Sequence, residues 1–293
     1  MDDARLTLLL AIADDEMVTG HRLGEWTGWV PYIEEDLALS SIAQDEIGHA
    51  KALYELAADL GAAPSADALA FGRRADQYRH AVLCERSNKD FAYTIARHYL
   101  YDTADEIRLG GLSQSSFKEL VQLFTVFRPE ERYHTVHART WFSRLADGPV
   151  DAKHRFSEAL ASLMGEAVAL FEPLPAEESL REDGTMPVPS EQMLGRWLDG
   201  VTRDLESFGL ERVLEERSEP AIGDLVPTSS GAAEESGDAA RLRVPGIERQ
   251  DGRWVHTGGF EGAGGRRGHH SEEFAPLWEE MTNLYRTHPG ATW

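Results

Sequence analysis

The chain is predicted to be all-α, a four-helix bundle with additional C-terminal helices and an irregular segment over residues 217–268. Three observations predict it. Across the first 175 residues apolar positions recur in steps of three and four, the spacing of a helix with one buried face. The interruptions fall at stretches rich in Gly and Pro, which punctuate helices. Glu-x-x-His occurs twice, at Glu46/His49 and Glu131/His134, and each copy has a carboxylate about one helical hairpin upstream. Glu16 stands 30 residues before Glu46, and Asp102 stands 29 before Glu131. Four carboxylates and two histidines in that doubled order are what a four-helix bundle needs to hold two metal ions between its helices.

The first helix is predicted over 4–27, stopped by Gly28, Trp29, Val30 and Pro31, and the second over 34–60, broken by Gly61 and Pro64. A shorter helical piece is expected at 73–85. The third helix spans 90–109, closed by Gly110 and Gly111, and the fourth spans 116–146, closed by Asp147, Gly148 and Pro149. A fifth runs from 150 to just before Pro173. Residues 174–189 read as a loop, and 190–214 as helix again. From 217 to 268 Gly, Ser, Pro and charge dominate, with little periodicity. A last helix over 271–286 carries Phe274, Leu277, Trp278, Met281, Leu284 and Tyr285 as one apolar stripe suited to docking. The organisation expected is one domain: a bundle over 1–175 and a C-terminal extension over 176–293 packed on it.

Helical spacing shows where the six residues point. Glu46 and His49 fall in the stripe Leu39, Ile42, Leu53, Leu56, and Glu131 and His134 in the stripe Phe124, Phe127, Ala138, Trp141. Glu16 shares a face with Leu9, Ala13, Gly20 and Leu23, and Asp102 one with Ile95, Tyr99 and Leu109. Isolated ionisable groups in an apolar core cost several kcal/mol each, and converging carboxylates repel one another. Two divalent cations remove both problems. Oxygen-rich donors with one imidazole per metal suit iron or manganese, whereas closed thiolate and imidazole sets suit structural zinc. Asp105 and Glu106 lie within a turn of Asp102 and are alternatives to it; the near-equal spacings favour Asp102. Asp45 and Glu130, each just before a ligand Glu, are candidates to hold the distal histidine nitrogens, Asp45 on His134 and Glu130 on His49. His137 is expected off the metal face, in packing or at the surface. Pro129 removes a backbone donor and is expected to kink or bulge the fourth helix near Glu131.

Composition sets limits. The 293 residues carry 29 Lys+Arg against 51 Asp+Glu, a net charge of −22, which argues against nucleic-acid binding. Cys84 is the sole cysteine, so no disulfide framework or thiolate cluster exists, in keeping with a reducing cytoplasm. The first residues lack a basic stretch followed by an apolar core, so no signal peptide is expected. No apolar run approaches the roughly 20 residues of a membrane span.

These residues resemble the phenylacetyl-CoA monooxygenase (ring-1,2-epoxidase) family, which has ferritin-like A and C subunits. Ala43-Gln44-Asp45-Glu46-Ile47-Gly48-His49 is similar to the catalytic A subunit's second-helix motif, and Glu130-Glu131-Arg132-Tyr133-His134 to its fourth-helix motif. The body resembles the C subunit, in Arg22-Leu23-Gly24-Glu25-Trp26, in residues 34–39, in Asp90-Phe91-Ala92, and in the ending over 268–274 and 289–293. The C subunit is an accessory partner that has lost most metal ligands, whereas this chain keeps acid or imidazole at all six matching positions. The resemblance implies a ferritin-like four-helix bundle around two iron ions, Fe2+/Fe3+, with dioxygen as co-substrate. It implies electrons from a separate NAD(P)H-dependent reductase and an aromatic acyl-CoA substrate. It also implies pairing as a homodimer, or as a heterodimer with another ferritin-like subunit. On this reading Glu16, Glu46 and His49 bind one iron and Asp102, Glu131 and His134 the other, with Glu46 and Glu131 bridging. Phe91, Tyr99, Tyr101, Phe124 and Phe127 are candidate cavity aromatics. Arg73-Arg74, Arg79 and Arg266-Arg267 are the local cation clusters available to CoA phosphates. A non-catalytic subunit of the same monooxygenase and a ferritin-like iron-oxidising protein are the alternatives.

Overall fold

The computed structural model describes residues 2–214, 247–251, 253–256, 262–288 and 291. Its helices, in chain order, are α1 (Asp3–Gly24), α2 (Ile33–Asp59), α3 (Ala66–Ala70), α4 (Val82–Glu85), α5 (Phe91–Leu112), α6 (Lys118–Ala146), α7 (Val150–Ala167), α8 (Glu177–Glu182), α9 (Ser190–Ser207) and α10 (Phe274–Thr287). Strands β1 (Ile247–Gln250) and β2 (Arg253–His256) form an antiparallel hairpin in which Ile247 faces His256. The protein is an all-α, ferritin-like bundle: α1 packs on α2, α5 on α6, and α2 lies beside α6. The long crossover between α2 and α5 carries α3 and α4, which fold against α2 and α1. α7 and α9 cover the outer side of α5. No described helix is long and apolar enough to cross a membrane.

Local chemistry explains several boundaries. Asp2 caps α1 by accepting from the Arg5 N–H at 2.8 Å, and Asp90 caps α5 from the Tyr93 N–H at 2.9 Å. α1 is buried on nearly every side from Leu8 to Gly20, as expected of the central helix of a covered bundle. One continuous apolar core runs from Leu8 of α1 to Met281 of α10, so the C-terminal helices share the core of the bundle. Within it Trp197 is 1% exposed, packs on Phe171 and donates through Nε1 to Thr103 Oγ1 at 3.0 Å.

The structure corrects the sequence reading at six places. α1 ends at Gly24, and turns occupy 25–29. Residues 73–85 form only a 3-10 turn at Ala75–Gln77 and the single turn α4. α5 passes through Gly110 and Gly111 to Leu112. Gly111 serves packing rather than termination: a Cβ there would lie 2.5 Å from Met193 Sδ of α9. Residues 174–189 contain α8. The segment expected to be irregular holds the β1–β2 hairpin, pinned to α9 by Trp254, and a 3-10 turn at Gly265–Arg267. The rest of that expectation, over 217–246, at 252 and over 257–261, lies outside the described residues. In the last stripe Phe274, Leu277 and Met281 are buried, whereas Leu284 is 53% exposed.

The bulge expected at Pro129 is also absent, since α6 is uninterrupted α-helix from Lys118 to Ala146. Pro129 and Thr125, whose carbonyl loses its usual donor, both lie on the exposed side, where water can replace the bond. Glu131 therefore keeps its helical register.

Replacing Trp197 by Ala should cost about 3–5 kcal/mol of unfolding free energy, from a buried aromatic that leaves a cavity. Urea unfolding followed by circular dichroism measures it. A loss below about 1 kcal/mol would show that α9 is not integral to the core.

Candidate metal centre

The four bundle helices bring five of the six sequence-selected residues into contact and set the sixth, Asp102, against His98. Glu16 comes from α1, Glu46 and His49 from α2, Asp102 from α5, and Glu131 and His134 from α6; none is more than 8% exposed. α1 and α2 meet closely because residue 20 is glycine. A Cβ there would lie 2.8 Å from Ile47 Cγ1 and 3.1 Å from Glu46 Cβ. His49 Nδ1 is 3.0 Å from Glu131 Oε1 and 3.5 Å from Glu16 Oε2. His134 Nδ1 is 3.4 Å from Glu46 Oε1 and 3.8 Å from Glu131 Oε2. Glu131 thus offers one oxygen to each imidazole. Glu16, His49 and Glu131 form the tightest donor set, with ligand atoms within 4.8 Å of one another.

These donors are unsatisfied by the protein. Glu16 Oε2, both oxygens of Glu46 and Asp102, Glu131 Oε1, and Nδ1 of His49 and His134 are buried without a hydrogen-bond partner. His98 Nδ1 approaches Asp102 Oδ2 to 3.0 Å but is out of hydrogen-bonding alignment. Buried polar atoms are almost always paired, so this many orphans in one place fits a bound cation pair. The all-oxygen and nitrogen donor set suits iron or manganese. Of the alternatives to Asp102, Asp105 is bound to Arg108 at 2.5 Å, and Glu106 is exposed beside Arg139.

The electrostatics agree. Burial pushes the Glu16, Glu46 and Glu131 carboxyls up, and the facing carboxylates push further. Burial raises Asp102 to about 7 and Asp105 to about 6. Burial opposes a His49 cation, yet the Glu131 and Glu16 carboxylates beside it lift it to about 12.

The outer imidazole nitrogens are held from the rim. His49 Nε2 lies 2.7 Å from Glu130 Oε2, and His134 Nε2 lies 3.3 Å from Asp45 Oδ2. A proton on each Nε2 leaves the Nδ1 lone pair facing the cluster. Phe127 stacks on the His49 ring at 4.0 Å. His137 sits off the metal face but is not a bystander. It joins His98 Nε2, at 3.0 Å, to Glu35 Oε1, at 2.7 Å, and Trp141 donates to the same Glu35 at 2.7 Å. The available signal for His98 was its i, i+4 spacing from Asp102.

A belt of buried ion pairs was missed. Three consecutive acids on α1 diverge by about 100° per residue. Glu16 turns to the cluster. Asp14 accepts from Tyr54 Oη at 2.5 Å, from the Arg79 N–H at 2.6 Å and from Arg73. Asp15 accepts from Arg108, from Arg266 and from the Ala81 N–H at 2.8 Å. The arginine groups expected to be available for phosphates are therefore corrected: Arg73 and Arg266 are core partners of Asp14 and Asp15. Exposed Arg74 pairs with Asp76, the Arg79 guanidinium donates to the Asp76 and Tyr78 carbonyls, and Arg267 pairs with Glu172.

The cations that matter at the surface lie elsewhere. A cleft of about 470 Å³ between α5 and α6 has Glu131 in its wall. Leu109, Phe124 and Val136 give it apolar sides, and Arg128, Arg132 and Arg139 flank it along α6. Arg139 pairs with Asp204, whereas exposed Arg128 and Arg132 have no carboxylate partner among the described residues. Of the five candidate aromatics only Phe124 lines this cleft. Phe91 packs between Trp26 and Trp141, Tyr99 bonds Asp204, and buried Tyr101 lies under Arg108.

The shifts set the pH dependence of metal-stripped protein. Asp102 and Asp105 are raised above their unfolded values near 4, so their contribution is present below about pH 4 and lost as pH rises through 6 and 7. His49, raised above its unfolded value, acts in the same sense over its own higher window. Asp15, lowered to about 2, stays ionised throughout. Burial holds His21, His80 and His98 neutral, and these act in the opposite sense over the same window. The melting temperature of stripped parent protein should therefore fall more steeply, or rise less, from about pH 5 to 8 than that of stripped Asp102→Asn/Asp105→Asn protein, in which the histidine contribution is retained. Equal pH slopes in the two stripped proteins would contradict this.

Comparison with known proteins identifies the family of the chain. The model of the phenylacetic acid catabolic protein family matches residues 1–217. Over 284 residues the chain is 29% identical to the C subunit of 1,2-phenylacetyl-CoA epoxidase from Escherichia coli (strain K12), with 97% of each chain covered. The chain belongs to the phenylacetic acid catabolic protein family.

Proposed function

We propose that the chain is a cytoplasmic di-iron oxygenase component of phenylacetate catabolism, which activates dioxygen to epoxidise phenylacetyl-CoA or a similar aromatic acyl-CoA. The observation that carries this reading is the set of six buried side chains with unpartnered donor atoms, five of them in mutual contact and one in the wall of an open cleft. The family and the name of the Escherichia coli relative support the substrate class.

Glu16 and His49 would hold one iron, and Asp102 and His134 the other. Glu46 and Glu131, each lying between donors of both sets, would bridge. When bound, the pair supplies reductive activation of dioxygen: one oxygen atom enters the substrate and the other leaves as water. Two electrons come from a separate NAD(P)H-dependent reductase, with two protons from solvent. The rest is done by this chain's side chains. Glu130 and Asp45 keep the protons of His49 and His134 on Nε2 and so aim both Nδ1 atoms inward. Leu109, Phe124 and Val136 give the cleft apolar sides against which an aromatic ring can pack. Arg128 and Arg132, without a carboxylate partner among the described residues of a chain of net charge −22, offer bidentate donors to CoA phosphates.

A non-catalytic place in the same assembly is the second reading, favoured by the relative's being one subunit of an epoxidase. Trp29, Tyr32, Ile33 and Leu37 stand between 66% and 80% exposed around the α1–α2 turn, consistent with a partner such as a second ferritin-like chain.

Single-turnover oxidation separates the two readings. Iron-loaded, chemically reduced protein mixed with phenylacetyl-CoA and dioxygen should form about one oxygenated product per site, and Glu131→Ala should form none. Iron-loaded protein that yields no product with this substrate would leave the accessory role. Arg128→Ala/Arg132→Ala should weaken binding of the thioester at least about tenfold, the loss of charge-assisted hydrogen bonds. Metal content should not change. Unchanged binding would remove CoA from the cleft.

A further inference from the structure

We propose that Arg266, carried by the C-terminal arm over residues 262–288, is a positioning residue for the metal centre, so that docking of the arm and loading of the metals are coupled. The inference rests on the di-metal reading above and adds a part of the chain to it that lies some 250 residues from Glu16 in sequence.

Arg266 is 3% exposed and spends its guanidinium on α1 and its surroundings. Nη1 and Nη2 grip Asp15 Oδ1 and Oδ2 at 2.9 and 2.8 Å. Nη1 also donates to the carbonyls of Ala11 at 3.1 Å and Arg79 at 2.9 Å, and Nη2 donates to that of Leu170 at 2.9 Å. Ala11 and Asp15 span the turn of α1 just before Glu16. Asp15 and Glu16 project about 100° apart on the helix, so a fork fixed on Asp15 fixes the rotation of α1 and the direction of Glu16. Asp15 also receives Arg108 of α5, which holds Asp105 one turn beyond Asp102. The arm thus closes a chain of charges behind the helices that present Glu16 and Asp102. Removing Arg266 would leave Asp15 and Asp105 to share Arg108, with net negative charge buried next to four carboxylates.

The other anchors of the arm act away from Asp15 and Glu16, and a further contact on α1 runs from Arg22 Nη2, near its C-terminal end, to the Glu273 carbonyl at 3.2 Å. Gly264 N–H binds Glu172 at 2.7 Å, and Glu273 binds Arg86 at 2.8 Å. His270 Nδ1 meets Glu85 at 2.9 Å, where His80 Nε2 also bonds at 2.7 Å. That last group is a hydrogen-bonded clamp rather than a metal site. The His80 and His270 rings lie stacked 4.1 Å apart and 14° from parallel, so their in-plane lone pairs cannot converge on one ion.

Coupling between two sites is reciprocal, so metal must also tighten the arm. Trypsin cleaves after arginine, and Arg266-Arg267 is a cleavage site that docking protects. The test is limited trypsin digestion of the full chain with and without Co2+, with Co2+ binding titrated in parallel. Bound Co2+ should slow cleavage at 266–267 on the order of fivefold or more, and should have no effect on the Glu46→Ala/Glu131→Ala variant. Folded Arg266→Ala should bind Co2+ more weakly by a similar factor, with an altered visible spectrum of the bound ion, and Arg266→Lys should recover part of the loss. Arg267→Ala should match the parent. Co2+ binding with an unchanged cleavage rate, or parent-like Co2+ affinity in folded Arg266→Ala, would overturn the coupling alone. A parent chain that binds no Co2+ would overturn the di-metal reading and the coupling with it.

Discussion

Repulsion among Glu16, Glu46, Asp102 and Glu131 is the constraint on which the rest of the structure depends. Four carboxylates crowd a buried core; burial raises every one, and mutual charge raises Glu16, Glu46 and Glu131 further. A protein can tolerate this with protons or with cations. Protons neutralise the charge but leave oxygen and nitrogen atoms without partners, as the eight orphaned donor atoms of these six residues show. Two divalent ions neutralise the charge and occupy the orphaned lone pairs together.

The surroundings are organised in two shells of opposite purpose. Toward the cluster the protein presents acceptors without donors. Behind it the chain supplies donors in excess: Arg73 on Asp14, and Arg108 and Arg266 on Asp15. These arginines hold α1 and α5 rigidly without lending a proton or a cation to the centre itself. The rim acids Glu130 and Asp45 orient the histidines, and the cleft beside Glu131 opens between α5 and α6. Rigid support at the back and access at one side preorganise the cluster for a ligand that enters from the cleft.

Much of this was legible in the sequence because helical periodicity is local. Glu46/His49 and Glu131/His134 fall in apolar stripes, and the equal spacings to Glu16 and Asp102 follow from helices of similar length. The distal pairing of Asp45 and Glu130 followed from antiparallel packing. What was not legible depends on contacts between segments far apart in sequence. Arg73 and Arg266 read as surface cations, because nothing local reveals that each meets an acid of α1. The hint was the run Asp14-Asp15-Glu16 in an otherwise apolar helix, which needs three separate partners. Arg128, Arg132 and Arg139 were overlooked because their cleft exists only once α5 and α6 pack. Gly110 and Gly111 misled for a related reason, since Met193 of α9 packs close over Gly111 where the local pattern suggests a stop.

Anaerobic equilibrium dialysis against Fe2+ tests the central claim most directly, with helical content followed in the same samples. The account expects about two ions per chain in the parent. It expects near none in a Glu46→Ala/Glu131→Ala variant that keeps its helical signal. A folded parent chain that retains no iron would contradict it.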